Sequence, residues 1–387
     1  MSKVKAITGA EAGAEAMKQI NPDVCAAFPI TPQTPVMQRF ADFHADGLVD
    51  SELIRVESEH SAMSCCVGAS AGGARVMTAT SSAGLALMWE IVGVASGLRL
   101  PIVMEIVNRA LSAPINIHCD HSDSMGARDL GWIQIYSENA QEVYENTLLA
   151  MRLAEKVLLP VMVCQDGFIT SHGVENVEIF DDKDVKSFVG EHKYPYGLLD
   201  IKKPVTHGPL QLQDYYFETR SQQIPAMEEA KKEFITIGNE LSGITGRKYP
   251  YFDSYKLKDA EAVIVVMNST AGTTKTAIDN LRKEGKKAGL LKLRLFRPFP
   301  YKEVANALKS VKNIAVLDRS VSFGANPPLY GEIKNALYDA KYDGKLHSLV
   351  FGLGGRNIYV EEIENVFNRL LSGKLKEHSY VGLREGH

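Results

Sequence analysis

Short apolar runs alternate with longer segments rich in Ala and Leu along the first half of the chain. Four of these runs have the length and composition of strands, and they cover residues 24–30, 74–82, 100–108 and 159–167. Helical spacing of apolar residues predicts helices over 10–20, 59–71 and 83–97. The last of these is apolar almost all round, as a helix buried on both sides would be. Strands that alternate with helices in this way predict a parallel α/β fold.

The pattern changes between residues 176 and 257, where polar residues and prolines interrupt the apolar runs. We interpret this stretch as a long linker or arm that contains one charged helical segment near 223–240. From about residue 260 a buried strand, a turn, an amphipathic helix and a second strand follow, which together make one βαβ unit. We therefore expect two domains, over residues 1–245 and 258–387.

Two turns in the second half are rich in small residues. The turn NSTAGTT at 268–274 precedes a helix, so its free amides are suited to binding an anion. Ser and Thr are also the residues expected at an ordinary helix N-cap, and both interpretations stay open. The turn is not a Walker motif, because no G-K-[ST] follows it. The glycines of FGLGGRN at 351–357 do not form G-x-G-x-x-G, so they are a weak signal.

Composition narrows the class of protein. With 387 residues, of which 45% are hydrophobic and 23% charged, the chain is typical of a globular protein with large cores. The net charge of −4 and the lack of a basic patch interleaved with aromatic residues argue against nucleic acid and anionic membranes. No stretch reaches the ~20 apolar residues of a membrane span, and the N-terminus has no signal-peptide pattern. We expect a cytoplasmic protein with a small-molecule or protein partner.

The cysteines do not have the spacing of a metal site. They are Cys25, Cys65, Cys66, Cys119 and Cys164, and no two of them form C-x-x-C. Zinc sites and iron–sulfur clusters usually require such pairs. We expect reduced thiols that are mostly buried.

A proline-rich loop follows the first strand candidate of 24–30. In FPITPQTP, residues 28–35, Pro29, Pro32 and Pro35 fix the backbone just past Phe28 and make the loop rigid. Rigid loops position chemical groups, but many only connect two elements. The loop alone does not decide between these alternatives.

A series of short motifs along the chain favours a functional role for this loop. In order along the chain they are FPITPQTP at 28–35, ESEHSAM at 57–63, TSSAGLALM at 80–88, NRALSAP at 108–114, DHSDSMGARDLGW at 120–132 and QDGFITSH at 165–172. The series resembles the α subunit of the 2-oxoacid:ferredoxin oxidoreductases, which are thiamine diphosphate enzymes, and is most similar to the pyruvate:ferredoxin oxidoreductases, or pyruvate synthases. RLFRPFP at 294–300 and VLDRSVSFG at 316–324 resemble the second domain of that family, so the resemblance covers nearly the whole chain.

The resemblance implies a fold and a set of partners. The first domain would be a thiamine-diphosphate-binding parallel sheet of the pyrimidine type, and the second a transketolase C-terminal-like α/β domain. In the family a separate β subunit holds the diphosphate and Mg²⁺, and [4Fe-4S] clusters lie outside the α chain. In agreement with this, the sequence has no G-D-G followed by a distant Asn, and QDGF lacks the first glycine. We therefore expect no metal on this chain, and β, γ and ferredoxin-like δ subunits as partners, with ferredoxin as electron acceptor.

The resemblance also assigns roles to three residues. Glu59 would provide the carboxyl group that hydrogen-bonds the cofactor's pyrimidine ring; without the resemblance, it would be read as a carboxylate interacting with a helix dipole. Arg109, at the end of a strand, would bind the substrate carboxylate with its charged fork, the alternative being a surface salt bridge. Thr31 would lie against cofactor and substrate, held by the prolines. Phe28 stands where the family usually has Tyr, so one phenolic hydrogen bond is lost while the ring remains.

Further candidates are less specific. Pro29 and Ser82 are expected near the cofactor, and Asn108, Ser112 and Ile117 near the substrate pocket. The string HCDHSD at 118–123 has the composition of a metal site, but MGARD after it supplies no further ligand. We expect Asp120, His121 and Arg128 to form a polar network near the active site instead.

The expected function is therefore the oxidative decarboxylation of pyruvate with coenzyme A to acetyl-CoA and CO₂, with reduction of ferredoxin, in a reaction that is reversible. A sibling enzyme that acts on branched-chain, aryl or other 2-oxoacids is one alternative. A non-catalytic scaffold subunit of such a complex is another. The sequence does not decide which 2-oxoacid is preferred.

Overall fold

The computed structural model describes residues 2–384, in which strands and helices alternate as the apolar pattern predicts. Up to residue 179 the elements are β1 (Lys3–Thr8), α1 (Gly9–Ile20), β2 (Val24–Ala27), α2 (Thr34–Ala45), β3 (Glu52–Arg55), α3 (Glu59–Gly72), β4 (Val76–Thr80), α4 (Ser82–Leu87), α5 (Trp89–Gly97), β5 (Ile102–Asn108), α6 (Ser122–Gly126), β6 (Ile133–Tyr136), α7 (Ala140–Val157), β7 (Val161–Asp166) and β8 (Val174–Ile179). After it they are α8 (Asp182–Val189), α9 (Tyr216–Ser221), α10 (Gln223–Thr245), β9 (Phe252–Tyr255), β10 (Ala262–Met267), α11 (Thr270–Lys283), β11 (Ala288–Leu293), β12 (Leu295–Arg297), α12 (Tyr301–Leu308), β13 (Asn313–Asp318), α13 (Pro328–Asp339), β14 (Lys345–Phe351), α14 (Val360–Leu371) and β15 (His378–Val381).

The first sheet has seven strands in the order β12-β6-β7-β5-β4-β2-β3. All neighbours are parallel except β12, which runs antiparallel to β6. Every residue of β4, β5 and β7 is buried, which explains why these strands are continuous apolar runs rather than alternating ones. The parallel strands end at one edge of the sheet, so the loops that follow β2, β3, β4, β5 and β7 lie together there.

The second sheet has six strands in the order β15-β14-β13-β10-β11-β9, and only β9 runs antiparallel to its neighbour. The βαβ unit predicted from residue 260 is confirmed as β10, α11 and β11. The chain then returns to the first sheet, where Leu295 of β12 pairs with Ile135 of β6. The domain limits at residues 245 and 258 stay a prediction.

Buried ion pairs join the second sheet to helix α7 of the first part of the chain. Lys292 on β11 is fully buried, and its ammonium lies 2.6 Å from Asp253 on β9 and also pairs with Glu142 on α7. Arg294 donates to the same Glu142 over 2.9 Å and to Asp253 over 3.0 Å. A charge buried in this way is tolerated only when it is paired, so the network fixes α7 against the second sheet.

The segment 83–97 departs from the prediction of one helix buried on both sides. It forms α4 and α5, which are separated at Met88. Val92 and Ala95 are buried in the core, but the side chains of Leu87 and Trp89 are 53% and 52% exposed. The prediction is wrong because only one face of these helices packs against the chain.

The stretch 176–257 is also more ordered than a linker. Strand β8 pairs with β1, and the predicted charged helix is α10, which packs on α7 through the buried Ala230, Phe234 and Ile237. The longest part of this stretch without helices or strands is residues 190–215. These elements are not evident in the sequence because most of their residues are polar. Helix α10 buries only a narrow stripe of residues, and β8 has a single neighbouring strand.

Two further sequence predictions concern cysteines and membranes. Cys25, Cys66, Cys119 and Cys164 are buried and Cys65 is partly buried, so mostly buried free thiols are confirmed. Among residues 2–384, no helix combines the length and the apolar composition needed to span a bilayer.

A buried carboxyl group lies in the middle of β5, the strand that leads to Arg109. Glu105 is fully buried, and one of its oxygens accepts a hydrogen bond from the Thr147 hydroxyl. The other oxygen has no hydrogen-bond partner in the part of the chain that the structure describes. Burial raises the pKa of Glu105 to about 8, so the group is mainly protonated at neutral pH.

This carboxyl group should make the stability of the chain depend on pH. Since the folded-state pKa is about 8 and the ordinary value is 4.5, the folded chain holds a proton that the unfolded chain releases. The free energy of unfolding should therefore fall by about 1 kcal/mol per pH unit as the pH rises from roughly 5 toward 8. Glu105→Gln, which cannot titrate, should lack this part of the slope when urea unfolding is measured at several pH values. Parallel slopes for the two proteins would mean that Glu105 is ionised in the fold.

Candidate active site

The loops that follow β4 and β5 meet at one buried carboxylate, Asp123 of α6. Its Oδ2 accepts the backbone N–H groups of Ser82 and Arg109, over 2.9 and 3.0 Å. Its Oδ1 accepts hydrogen bonds from the Asn108 side chain and from the N–H of Ser124, over 2.8 and 2.7 Å. Burial raises the pKa of Asp123 to about 6, although these four N–H donors oppose the rise. Asp123 thus holds the backbone of both loops at the sheet edge.

Arg109 and Thr31, which sequence analysis assigned to substrate, are in direct contact. The Nη1 of Arg109 donates to the Thr31 carbonyl over 2.8 Å, and its Nε donates to the Asn116 carbonyl over 3.0 Å. Arg109 is only 7% exposed, yet within residues 2–384 its Nη2 has no hydrogen-bond partner. The guanidinium is therefore held on two sides, and one nitrogen stays available for a carboxylate.

The proline loop places Thr31 at its exposed tip. The Ile30 carbonyl accepts the N–H groups of Gln33 and Thr34 over 2.8 and 3.1 Å, and this turn leads into α2. Pro32 and Gln33 are buried, whereas Pro29 and Thr31 are exposed. Of the described residues, none hydrogen-bonds the Thr31 hydroxyl. The loop therefore anchors itself by its second half and leaves the Thr31 hydroxyl free.

Glu59 is the first residue of α3, after the N-cap Ser58, and it is 7% exposed. A Cβ on Gly84 of α4 would lie 2.8 Å from the Glu59 Oε1, so the absence of a side chain there makes room for this carboxyl group. No residue in the described part of the chain hydrogen-bonds or pairs with the Glu59 side chain. Glu57, in contrast, is exposed and accepts a hydrogen bond from Ser61. The two glutamates of ESEHSAM therefore differ in burial and in whether a partner is present.

Of the other predicted residues, two are hydrogen-bonded within the chain and two are exposed. Ser82 has a φ of 45° and donates its hydroxyl to the Ala110 carbonyl over 2.6 Å. The Asn108 side chain donates to Asp123 and to the Ser124 hydroxyl, both over 2.8 Å. Ser112 and Ile117 are exposed on the loop after β5. Ser82 and Asn108 therefore shape the site through other groups of the chain, while Ser112 and Ile117 face outward.

Asp120, His121 and Arg128 do not form the single network that the sequence predicts. Asp120 accepts hydrogen bonds from Ser122 and, over 3.3 Å, from the N–H of Gly354. Arg128 donates to the Met125 carbonyl over 2.7 Å and lies 3.7 Å from Asp129. The prediction is wrong because Asp120 and His121 contact different neighbours and Arg128 lies beyond α6, so no hydrogen bond joins the three side chains among the described residues.

His121 instead joins a network around Asp166, at the end of β7. Its Nε2 lies 2.8 Å from Asp166 Oδ1, and the Arg319 guanidinium lies 3.2 Å from Oδ2. Burial favours the neutral carboxyl, but the Arg319 charge and the hydrogen bond with His121 outweigh it and hold the pKa of Asp166 well below its usual range. Cys119, His121 and Asp166 offer three metal-ligand atoms within 4.8 Å, but Arg319 already supplies the compensating cation.

The same carboxylate explains the NSTAGTT turn. The Asn268 side chain donates to Asp166 over 2.9 Å, and Ser269 donates to it through both its N–H, over 3.2 Å, and its hydroxyl. The N-terminus of α11 thus binds an anion, as one interpretation of the sequence proposes, but the anion is the chain's own Asp166. Ser269 makes no side-chain cap to its own helix.

Sequence reasoning missed Asp123, Asp166 and Arg319. All three lie inside strings that were quoted for the resemblance, and Asp166 and Arg319 come directly at the ends of buried strands. A charged residue at that place in a parallel sheet signals either a ligand or a buried ion pair. The pairing itself joins positions 153 residues apart and is not visible in the sequence.

Comparisons with known proteins show which family the chain belongs to. The family described as pyruvate flavodoxin/ferredoxin oxidoreductase, thiamine diphosphate-binding, matches residues 15–238, and the pyruvate:ferredoxin oxidoreductase core domain II matches residues 260–363. The PorA subunit of pyruvate synthase from Thermotoga maritima is 57% identical over 98% of both chains. The VorA subunit of ketoisovalerate oxidoreductase from Pyrococcus horikoshii is 44% identical, also over 98% of both.

Solved structures show the same fold. The 2-oxoglutarate:ferredoxin oxidoreductase from Magnetococcus marinus superposes with a TM-score of 0.72 at 21% identity, over 96% of this chain and 65% of that chain. A split-gene transketolase superposes with a TM-score of 0.57 at 12% identity, over 96% of this chain and 100% of that chain. The α/β fold predicted from the sequence is confirmed, and the chain belongs to the thiamine-diphosphate-binding family of pyruvate flavodoxin/ferredoxin oxidoreductases.

Proposed function

We propose that this chain is the α subunit of a pyruvate:ferredoxin oxidoreductase, which converts pyruvate and coenzyme A to acetyl-CoA and CO₂ and passes the electrons to ferredoxin, reversibly. The observation that carries the proposal is the edge of the first sheet. There a buried carboxyl group, Glu59, and a buried arginine, Arg109, keep polar atoms without a partner in the described chain. Neither the Glu59 oxygens nor the Arg109 Nη2 is among the fully buried unpaired atoms, so these atoms reach the surface of the sheet edge and are open to a ligand there.

The residues present fit one side of a thiamine diphosphate site. When bound, thiamine diphosphate supplies a carbon nucleophile that attacks the 2-oxo group of the substrate. Glu59 is suited to hydrogen-bond the pyrimidine ring, because it is 7% exposed and Gly84 leaves the space beside its Oε1 free of a side chain. The exposed Pro29 and Thr31 would border the cofactor, and Ser82 would support that border through its bonds to Ala110 and Asp123.

Arg109 would orient the substrate. A 2-oxoacid has a carboxylate beside a carbonyl, and a guanidinium held at Nε and Nη1 presents its remaining nitrogen in a fixed direction. The free Thr31 hydroxyl is suited to donate to the substrate carbonyl. The bond between Arg109 and the Thr31 carbonyl keeps these two groups together before any ligand arrives.

The remaining chemistry would belong to partner chains. A β subunit would hold the diphosphate and Mg²⁺, because this sequence has no G-D-G followed by a distant Asn. The [4Fe-4S] clusters would lie on partner subunits. Four of the five cysteines here are buried, and no two cysteines have the C-x-x-C spacing that clusters usually require. The γ and δ subunits would complete the route of electrons to ferredoxin.

The closest alternative is the same reaction on a branched-chain 2-oxoacid. Identity to the PorA subunits from Thermotoga maritima and Methanocaldococcus jannaschii, 57% and 48%, favours pyruvate. The two Pyrococcus horikoshii subunits do not discriminate, because PorA and VorA are 43% and 44% identical to this chain. Comparing kcat/KM for pyruvate and 2-ketoisovalerate in the complex with its partner chains decides between them. A complex inactive on every 2-oxoacid would leave this chain with a scaffold role.

One prediction of the proposed function concerns Glu59→Gln, which keeps the shape of the side chain and removes its acidic group. Turnover of the complex should fall by about 10²–10⁴-fold, because the pyrimidine ring loses its carboxyl partner. Affinity for thiamine diphosphate should fall much less. Hydrogen–deuterium exchange at C2 of the bound cofactor, followed by NMR, measures the activation separately from substrate binding.

Glu57→Gln is the matched control for this experiment. It makes the same substitution two residues earlier, on an exposed side chain that is bonded to Ser61. Turnover and C2 exchange should stay near the unmodified values. If Glu59→Gln exchanges at the normal rate while Glu57→Gln does not, the roles of the two glutamates are reversed.

A second prediction separates substrate binding from cofactor activation. Arg109→Lys should raise the KM for pyruvate while C2 exchange continues, because a point charge replaces the fork that Asn116 and Thr31 hold. Thr31→Val should lower kcat/KM by roughly tenfold to a hundredfold, the scale of ~1–3 kcal/mol for an unpaired polar partner. The double variant should lose less than the sum of the two losses, because both groups hold one small ligand. Strict additivity would show that they act on separate ligands.

A further inference from the structure

The glycine-rich string that sequence analysis left unexplained forms a sharp turn after β14. We call residues Gly352–Gly355 the glycine turn. Gly352, Gly354 and Gly355 have φ values of 64°, 60° and 78°, a region that side chains rarely adopt. The turn follows β14 of the second sheet, but it contacts the loop that follows β5 of the first sheet.

The glycine turn lies directly against the loop that follows Arg109. The N–H of Gly355 donates to the Cys119 carbonyl over 2.6 Å, and the N–H of Gly354 donates to Asp120 over 3.3 Å. The Asn116 side chain donates to the Gly354 carbonyl over 3.1 Å. These bonds fasten both ends of residues 116–120 to the second sheet.

The approach is so close that side chains on the turn would collide with the loop. A Cβ on Gly355 would lie 2.3 Å from the His118 Cβ, and one on Gly354 would lie 2.4 Å from the Asn116 Nδ2. Separations under about 3 Å do not occur between real Cβ atoms and their neighbours, so a substitution at Gly355 must displace the loop. Glycine at these positions therefore allows both the positive φ of the turn and its close approach to the loop after β5.

Asn116 connects the turn to the substrate-binding residue. Its carbonyl accepts the Arg109 Nε over 3.0 Å, while its side chain donates to Gly354 and accepts the His118 N–H over 2.7 Å. The loop also returns to the strand end, since Ala110 donates to the His118 carbonyl over 3.0 Å. A continuous chain of bonds thus runs from the second sheet through Asn116 to Arg109 and on to Thr31.

We propose that the glycine turn and Asn116 are positioning elements for Arg109, so that the second sheet sets the orientation of the guanidinium that receives the substrate carboxylate. The proposal rests on the proposed function for the identity of the substrate. It assigns to FGLGGRN a steric and hydrogen-bonding role in place of phosphate binding. Displacing the turn should weaken substrate binding without affecting the buried carboxyl group of Glu59.

The test compares Gly355→Ala with Gly285→Ala. Both glycines have a φ of 78°, but a Cβ on Gly285 would meet nothing within 4 Å, so the pair shares backbone strain and differs in collision. In the complex with its partner chains, Gly355→Ala should raise the KM for pyruvate about tenfold or more, with C2 exchange of the cofactor near normal. Gly285→Ala should leave the KM within about twofold, the scatter expected of a site that keeps its orientation.

A second readout does not depend on activity. Hydrogen–deuterium exchange of residues 110–121, measured by mass spectrometry, should be faster in Gly355→Ala and unchanged in Gly285→Ala. Asn116→Ala keeps the backbone carbonyl that holds Arg109 and removes the side-chain hydrogen bonds to Gly354 and His118. Like Gly355→Ala, it should raise both the KM for pyruvate and the exchange rate of residues 110–121. It also decides the matter if Gly355→Ala does not fold.

The outcomes separate this proposal from the proposed function. Faster exchange in residues 110–121 together with a raised KM supports it. An unchanged KM and unchanged exchange in Gly355→Ala and Asn116→Ala, with an unmodified complex that is active on pyruvate, would overturn it. If the unmodified complex does not use pyruvate, the proposed function fails, and the exchange experiment still decides whether the turn holds the loop.

Discussion

At the candidate site the two sheets are joined by one buried carboxylate, Asp166. It ends β7 of the first sheet, and its charge is compensated by Arg319, which follows β13 of the second. Ser269 and Asn268 donate to it from the start of α11. An ionised carboxylate in a protein interior is tolerated only when charges and donors surround it, and separating the sheets would leave Asp166 with His121 and Cys119 as its only partners among those described. The second sheet is therefore fixed against the carboxyl edge of the first, which is the edge that carries the candidate site.

Because of this constraint the second sheet also holds a loop of the candidate site, although it supplies none of the predicted catalytic groups. His121 lies on the loop between Arg109 and α6, and its backbone N–H donates to the Arg319 carbonyl over 2.9 Å. The loop is thus bound to the second sheet at His121, at Cys119 and at Asn116. Its other side is bound to the first sheet through Asp123 and Arg109. A loop held on both sides keeps a long arginine side chain in one orientation, which lowers the entropy lost when a carboxylate binds.

Much of the fold follows from the sequence, and the exceptions have physical causes. The fully buried strands β4, β5 and β7 are continuous apolar runs, so they were predictable in place and type. The segment from 176 to 257 was predicted to be a linker, because α10 buries only a narrow stripe of apolar residues and the residues around this stripe are charged or polar. At the site, the resemblance named Glu59, Arg109 and Thr31, and the bond between the last two is in the structure. The Asp123 and Asp166 networks were not predictable, because their partners on other loops share no local pattern with them; Arg109 and Ser82 lie 14 and 41 residues from Asp123, and Arg319 lies 153 residues from Asp166.

The difference between satisfied and unsatisfied polar groups gives a way to separate support from chemistry at this edge. Asp123 and Asp166 are buried with every oxygen bonded to groups of the chain, which is what a structural carboxylate requires. Glu59 is similarly buried, but no described residue bonds it. The same contrast holds within one side chain, since Nε and Nη1 of Arg109 are bonded and Nη2 is not. Unpaired atoms that are fully buried also occur in this fold, such as Glu105 Oε2 and Arg319 Nε, but the Glu59 oxygens and the Arg109 Nη2 are not of this kind, because they reach solvent. The unbonded atoms of Glu59 and Arg109 therefore stay open to a ligand at the sheet edge, while Asp123 and Asp166 are used up in holding the surrounding loops.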